Sequence, residues 1–248
     1  NGEKGQFSLL LDVPAGNSGK AQLKSFQSGL RFNMVPREAV AEITVPDKEQ
    51  VTSEFGQFIE NNPVTGKVEE TMDGLKLTVI GKAAHGMEPE KGINAGTYLA
   101  TFLNKYDFAG GAASFISFLA KYLHLDTRME KFDCSFTDDV MGELTMNAGI
   151  LNYDEENGGK INMNFRYPKG ITPDEIQAKV EKVTKALAIT VNQGDGQLPH
   201  YVDPDDPIVK TLMEAYIDIS GDQNAKPEVV GGGTYGRLMK RGVAFGAL

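Results

Sequence analysis

The sequence predicts an α+β fold in which an antiparallel sheet carries helices on one face. Two stretches, residues 67–81 and 143–167, each place alternating apolar residues around a glycine-containing turn, as in a β-hairpin. Runs with the apolar spacing of a helix lie near both stretches. Elements in this order are typical of a sheet whose one face is buried under helices.

The composition indicates a globular chain with an acidic surface. The 248 residues are 40% hydrophobic and 24% charged, with a formal net charge of -9 at pH 7 and a pI near 4.9. Such a surface repels nucleic acid and anionic lipid, so we expect neither as a partner. No window approaches the roughly 18 apolar residues of a membrane span, and no signal peptide opens the sequence.

The single cysteine, Cys134, cannot form an internal disulfide and has no second cysteine with which to build a zinc site. A reduced, cytoplasmic setting therefore fits best. Apolar neighbours on both sides indicate a buried side chain, and a nucleophilic role is the alternative.

The first half of the sheet is expected between about residues 5 and 110. Its strands alternate or end at prolines, and Asp47 can cap its first helix. The predicted elements are strands at residues 6–13 and 29–36, a helix at 47–59, the hairpin at 67–81 and a helix at 93–103. A further helix is predicted at residues 114–124, and His124 near its end is interpreted as structural.

The second half is expected between about residues 140 and 200. Alternating residues surround an Asn-Gly-Gly turn, and Thr172 with Glu175 forms a capping box in front of the next helix. The predicted elements are strands at residues 143–153 and 160–167, a helix from residue 172 and a strand at 187–191. Each half has the element order of a ferredoxin-like sheet, and the two could form one continuous sheet.

From about residue 201 the pattern changes to that of a partial α/β segment. The stretch at residues 203–207 is rich in Asp and Pro, as in a linker. The predicted elements that follow are a helix at residues 207–219, a strand at 228–230, a glycine loop at 231–237 and a strand at 243–248.

His85 is the first candidate for contact with a ligand. It follows an alternating strand and precedes a helix, which places its ring at the open edge of the sheet. A turn residue bonded to its own backbone is an alternative of about equal weight.

Arg166 is the second candidate. It alternates with Asn162 and Asn164 on the polar face of a strand, and its planar guanidinium suits a carboxylate. A cross-strand salt bridge is the alternative. The third candidate is the triple glycine at residues 231–233, whose N–H groups could form a nest for a carboxylate or simply a tight turn.

Common metal and nucleotide motifs are missing from the sequence. It contains no His-Glu-x-x-His, no Gly-x-Ser-x-Gly and no P-loop. The three histidines, His85, His124 and His200, lack the spacing of metal ligands. We therefore expect no metal site within this chain alone.

Four motifs occur in the order, and at about the separations, seen in one enzyme family. They are RFNMVP at residues 31–36, GKAAHGMEPEKGINA at 81–95, NFRYP at 164–168 and GGGTYGR at 231–237. The sequence resembles the PepV-like bacterial dipeptidases, which belong to the co-catalytic zinc peptidases together with carnosinase, aminoacylase and glutamate carboxypeptidase. The similarity covers essentially the whole chain.

This resemblance implies a split enzyme. Family members have a catalytic α/β domain that binds two zinc ions, and an enlarged lid domain that lets them work as monomers. Residues 5–200 look like the lid, residues 1–4 like the end of a preceding catalytic part, and residues 201–248 like a returning piece of the catalytic domain. The family's zinc ligands and glutamate base would lie before Asn1, apart from one histidine beyond Leu248, so no zinc is expected to bind this chain alone.

The resemblance also implies roles for individual residues in dipeptide hydrolysis. His85 matches a lid histidine that stabilises the oxyanion, and Arg166 matches the arginine that binds the C-terminal carboxylate of the substrate. Asn33 matches a lid asparagine that contacts the substrate. The loop of Gly232, Gly233 and Thr234 matches a backbone cradle for the same end of the peptide. The alternative is a non-catalytic ferredoxin-like module that binds a ligand or a partner.

Overall fold

The computed structural model describes residues 1–246 and shows an α+β fold organised by one eight-stranded antiparallel sheet. The strands are β1 (Gly2–Glu3), β2 (Gly5–Val13), β3 (Gln22–Ser28), β4 (Glu38–Thr44), β5 (Thr65–Glu70), β6 (Leu75–Ile80), β7 (Thr137–Asp138), β8 (Gly142–Glu143), β9 (Thr145–Asp154), β10 (Gly158–Tyr167), β11 (Thr190–Gln197), β12 (His200–Tyr201) and β13 (Val229–Val230). The α-helices are α1 (Lys48–Glu60), α2 (Ala95–Leu103), α3 (Gly110–Phe118), α4 (Pro173–Thr184) and α5 (Pro207–Ser220). Short 3-10 helices lie at Pro89–Lys91, Glu130–Phe132, Lys185–Leu187 and Tyr235–Leu238, and a π-helical turn spans Leu119–Leu123.

The large sheet has the strand order β11-β2-β10-β9-β3-β4-β6-β5. Neighbouring strands are antiparallel throughout. The pairing of β3 with β9 joins two groups of four strands, so the sheet is continuous. Strand β2 is the first strand of this sheet along the chain but lies between β10 and β11, which pairs residues 5–13 with residues from the second half of the chain.

One core of apolar side chains spans both groups of strands. Phe26 on β3 packs edge-to-face against Phe115 on α3, with 5.2 Å between ring centroids. Phe55 on α1 packs in the same way against Phe102 on α2 at 5.0 Å. These four rings and Ile176 on α4 belong to a single buried cluster. Helices α1 to α4 therefore cover the same face of the sheet, and burial of their apolar stripes stabilises it.

A small sheet lies beside the large one. In it, β1 pairs antiparallel with β12 and parallel with β13. Lys4 alone separates β1 from β2, and residues 198–199 separate β11 from β12. The chain therefore passes between the two sheets at two neighbouring points. No helix within residues 1–246 has both the length and the apolar character needed to cross a membrane.

Several local predictions are confirmed. The Asp47 carboxylate caps α1 by accepting a hydrogen bond from Gln50 N–H at 2.9 Å. The hairpin predicted at residues 67–81 is formed by β5 and β6. The capping box of Thr172 and Glu175 is present at the start of α4. Each of these signals depends on residues close together in the sequence.

Two predicted strands are wrong, and the strand predicted at residues 187–191 overlaps β11 only at residues 190–191. Residues 29–36 form a loop with a single bridge between Met34 and His85, because Gly29 has a φ of 83° and turns the chain. Residues 243–246 are not in a strand, and the other two residues of that predicted strand lie outside the described residues. Strand β3 was not predicted because a bulge shifts its register between Leu23 and Ser25, which breaks the apolar alternation.

The capping box predicts a measurable effect on stability. Replacing Thr172 by Ala removes the hydroxyl that accepts from Glu175 N–H, so we expect the free energy of unfolding to fall by about 1 kcal/mol. Thr172→Ser keeps the hydroxyl and is expected to stay close to the wild type. Urea unfolding followed by circular dichroism measures both variants, and equal midpoints for Ala and Ser would contradict the prediction.

Candidate functional site

His85 and Asn33 lie on two loops that are hydrogen-bonded to each other. Gly86 N–H donates to the Asn33 carbonyl at 2.7 Å, and Val35 N–H donates to the Ala84 carbonyl at 2.9 Å. These contacts flank the bridge between Met34 and His85. The structure thus places the first two sequence motifs side by side.

The His85 ring is exposed and oriented by its own turn. Met87 N–H donates to its Nδ1 at 3.2 Å. Because Nδ1 acts as the acceptor, the proton of the neutral ring lies on Nε2. The ring is therefore both bonded to its own backbone, as one interpretation of the sequence proposed, and able to present an Nε2–H donor outward.

Asn147 on β9 holds this pair of loops on the sheet. Its side chain is buried, and its Nδ2 donates to the carbonyls of Phe32 and Met34 at 2.8 and 3.0 Å. Gly86 lies close to the Asn33 backbone, since a Cβ at residue 86 would be 3.0 Å from the Asn33 carbonyl oxygen. The position of Asn33 therefore depends on a buried amide that the sequence analysis did not single out.

Arg166 is a buried cation without an acidic partner among residues 1–246. It lies on β10 opposite Thr145 on β9 and Gln6 on β2, and only 4% of the residue is exposed. Its Nη1 donates to the Gln6 side-chain oxygen and to the Gly231 carbonyl, the latter at 3.3 Å. Its Nε is buried without a hydrogen-bond partner. Burial, together with repulsion from Arg237, lowers the pKa of Arg166.

The cross-strand salt bridge proposed as the alternative for Arg166 is not found among residues 1–246. An unpaired buried guanidinium is costly, since it has lost water without gaining an opposite charge. This site is therefore suited to an anion supplied from elsewhere.

The glycine loop, residues 231–234, connects Arg166 with the His85 loop. The Gly231 carbonyl accepts from Arg166, and a Cβ at Gly231 would lie 2.9 Å from the Met87 Cβ. A Cβ at Gly232 would meet no atom within 4 Å, so this part of the loop is open. All four sequence motifs thus come together in the structure.

Glu3 anchors the other end of the glycine loop. Its buried carboxylate accepts from Thr234 N–H at 2.9 Å, from Thr234 Oγ1 and from Arg237 Nε at 2.7 Å. Burial raises the pKa of Glu3, but these hydrogen bonds outweigh burial and the net effect lowers the pKa. Thr234 is therefore occupied by Glu3. A Cβ at Gly233 would lie 3.0 Å from the Gln197 Oε1, so Gly232 is the glycine of this loop with open space around it.

The other candidate side chains have structural surroundings. Cys134 is buried, and burial raises the pKa of its thiol, which disfavours a nucleophilic role. The His124 ring packs edge-on against Tyr98, with 4.6 Å between ring centroids. Burial lowers the pKa of His124 to about 4, and the positive charge of Lys131 is a smaller cause in the same direction. The His200 Nε2 lies 2.7 Å from the Gly242 carbonyl oxygen. In the described part of the chain, no group of three or more His, Cys, Asp or Glu side chains is arranged to hold a metal ion.

The chain aligns with curated bacterial proteins along its full length. It is 39% identical over 253 residues to a protein named "Putative dipeptidase" from Staphylococcus saprophyticus, an alignment that covers 100% of this chain and 54% of the relative. A protein of the same name from Staphylococcus epidermidis is 40% identical over 230 residues, covering 92% of this chain and 48% of the relative. Over nearly its whole length, this chain is therefore similar to bacterial proteins that carry the name dipeptidase.

The chain spans about half the length of the curated relatives it matches. No family model matches it. Among solved structures, aminoacylhistidine dipeptidase from Vibrio alginolyticus aligns with 92% of this chain and 50% of its own, at 14% identity and a TM-score of 0.38. Similarity of this degree supports no statement about shared structural detail.

The anchoring role of Asn147 can be tested by mutation. In Asn147→Ala the carbonyls of Phe32 and Met34 lose their buried donor, so we expect the free energy of unfolding to fall by about 2 kcal/mol. Asn152→Ala is the matched control, because Asn152 lies on the same strand with an exposed side chain. Urea unfolding measures both variants, and equal losses would contradict the anchoring role.

Proposed function

We propose that this chain is the lid-containing part of a zinc-dependent dipeptidase. The observation that carries the proposal is the meeting of His85, Asn33, Arg166 and the glycine loop in one place, within a chain 39% identical to a dipeptidase-named relative. In this proposal residues 5–200 are the lid, and its sheet consists of two groups of four strands. The predicted division at about residues 5–110 and 140–200 is changed in one respect, because β2 pairs with β10 and β11 of the second group. Residues 1–4 and 201–248 belong to the catalytic domain.

Arg166 binds the C-terminal carboxylate of the dipeptide in this proposal. Its unpaired Nε and its burial support this role, because an incoming carboxylate would supply the missing acceptor and the missing negative charge. In the same proposal the N–H groups of Gly232 and Gly233 add neutral donors for that carboxylate, and the contact of the preceding Gly231 with Arg166 supports this role. Binding one end of the substrate at fixed points also orients the peptide bond.

His85 stabilises the oxyanion that develops when the peptide carbonyl is attacked. The hydrogen bond from Met87 N–H to Nδ1 supports this role, since it leaves the proton on Nε2 as an outward donor. A donor placed where negative charge develops lowers the barrier by roughly 3 to 4 kcal/mol. Asn33, on the loop paired with that of His85, contacts the bound substrate beside it.

Zinc enters the proposal only through residues outside this chain. The described residues, 1–246, provide no cluster that fits a zinc ion, so every role assigned here belongs to side chains and backbone alone. In the longer protein two zinc ions would activate the attacking water. The proposed substrate is a dipeptide and the proposed state is a monomer.

The activity is tested with the full-length protein that contains this sequence. We expect zinc-dependent cleavage of a small panel of dipeptides, loss of activity on chelation, and no cleavage by the 248-residue chain assayed alongside. Activity of the short chain would show that it holds a metal site of its own. Inactivity of both proteins would overturn the proposal in favour of a non-catalytic binding module.

The role of His85 predicts a specific kinetic change. In the full-length protein, His85→Ala is expected to lower kcat by about 100- to 1000-fold with little change in KM, because the lost hydrogen bond forms only in the transition state. Steady-state kinetics on one dipeptide separate the two constants. A rise in KM at unchanged kcat would contradict the assignment.

Arg166 is expected to behave differently. Arg166→Ala removes the partner of the substrate carboxylate, so KM should rise by about tenfold or more, as expected for a charged hydrogen bond. Arg37→Ala is the control, since Arg37 carries the same charge on an exposed side chain. The same KM in the Arg166 variant and in the control would rule out carboxylate binding by Arg166.

A further inference from the structure

We propose that Glu3 is a positioning residue that fixes the glycine loop and, through a relay of side chains, the guanidinium of Arg166. The inference rests on the proposed binding of a substrate carboxylate at Arg166. It extends that proposal to a residue that none of the four sequence motifs contains.

The ion pair between Glu3 and Arg237 is the most buried in the described part of the chain. The exposed fractions of the two side chains are 5% and 10%, whereas each of the other ion pairs has at least one side chain that is 38% or more exposed. Exposed pairs contribute little, but loss of one partner from a buried pair leaves an uncompensated charge. Glu3 therefore has a strong influence on where Arg237 lies.

The relay runs from Arg237 to Arg166 through two glutamines. Arg237 Nη1 donates to Gln197 Oε1, which also accepts from Gln6 Nε2 at 3.1 Å. Gln6 Oε1 in turn accepts from Arg166 Nη1. A glutamine amide has one donor end and one acceptor end, so the bond to Gln197 directs the oxygen of Gln6 toward Arg166. The orientation of Arg166 is thus coupled to the position of Arg237.

The second effect of Glu3 is on the glycine loop itself. One carboxylate oxygen accepts from Thr234 Oγ1, and the other accepts from Thr234 N–H and Arg237 Nε. Arg237 Nη2 also donates to the Lys4 carbonyl at 3.1 Å, which ties the residues after the loop to the chain beside Glu3. Glu3 therefore fixes the end of the loop that follows Gly232 and Gly233.

Glu3 is placed to position groups rather than to take part in the reaction. Both of its oxygens already accept hydrogen bonds, and the net lowering of its pKa keeps it ionised at neutral pH. It also lies within the small sheet, opposite His200 on β12 and Val230 on β13. One side chain thus links the small sheet, the glycine loop and the large sheet.

The test compares Glu3→Gln with the matched control Glu228→Gln in the full-length protein. Glu228 carries the same charge near the same small sheet, but its side chain is exposed. We expect KM for a dipeptide to rise by about tenfold in Glu3→Gln, with a smaller change in kcat, because charged hydrogen bonds that place Arg166 are lost. Glu228→Gln should match the wild type.

Limited trypsin digestion provides a readout that does not depend on dipeptidase activity. In Glu3→Gln the loop and Arg237 lose their anchor, so cleavage after Arg237 should be faster than in the wild type and in Glu228→Gln. If the wild type cleaves no dipeptide, the proposed function is wrong. The trypsin digestion still tests whether Glu3 positions the loop and Arg237. Unchanged digestion together with unchanged KM would overturn the inference.

A second variant covers the case in which Glu3→Gln does not fold. Gln197→Leu breaks the relay at an exposed side chain and leaves the pair of Glu3 and Arg237 in place. We expect KM to rise while trypsin cleavage after Arg237 stays at the wild-type rate. An unchanged KM in this variant would show that the relay does not orient Arg166.

Discussion

The antiparallel pairing of β2 with β10 on one side and β11 on the other determines the geometry of the candidate site. In this register Gln6 lies opposite both Arg166 and Gln197. A shift of one residue would turn Gln6 to the core face and remove it from both partners. The register is fixed by the apolar face of the same strands, where Phe7 stacks on Phe165 with 4.9 Å between ring centroids. Packing of these aromatic rings on the core face of the sheet therefore determines which polar side chains meet on the opposite face.

Charge is distributed unevenly around this site. Arg237 and Arg166 lie close enough for the first to lower the pKa of the second. Among the described residues, Arg237 has a carboxylate partner in Glu3, and Arg166 has none. The chain as a whole is acidic, with a formal net charge of -9. Buried Arg166 is therefore a local positive charge within an acidic protein. This contrast is the electrostatic basis for assigning an anionic ligand to Arg166.

The sequence was sufficient for the helix caps, whose signals are local. The cap at Asp47 and the capping box at Thr172 depend on residues three positions apart, and both were predicted correctly. The loop of Asn33 was mistaken for a strand because its apolar residues alternate, while the turn at Gly29 could not be recognised from one sequence. Asn147 and Glu3 were missed for another reason. Each acts on residues more than 100 positions away, so no spacing in the sequence reveals its partners.

The two connections between the large and the small sheet lie close together, and this restricts which residue fits between them. Within residues 1–246, Lys4 and residues 198–199 are the two covalent connections between the large and the small sheet. Gly5 lies beside both crossings, and a Cβ there would be 2.4 Å from the Tyr167 ring and 2.8 Å from the Pro199 Cδ. A side chain at residue 5 would force apart the two connections between the sheets. Residue 5 therefore has to be glycine for Lys4 and residues 198–199 to lie this close together.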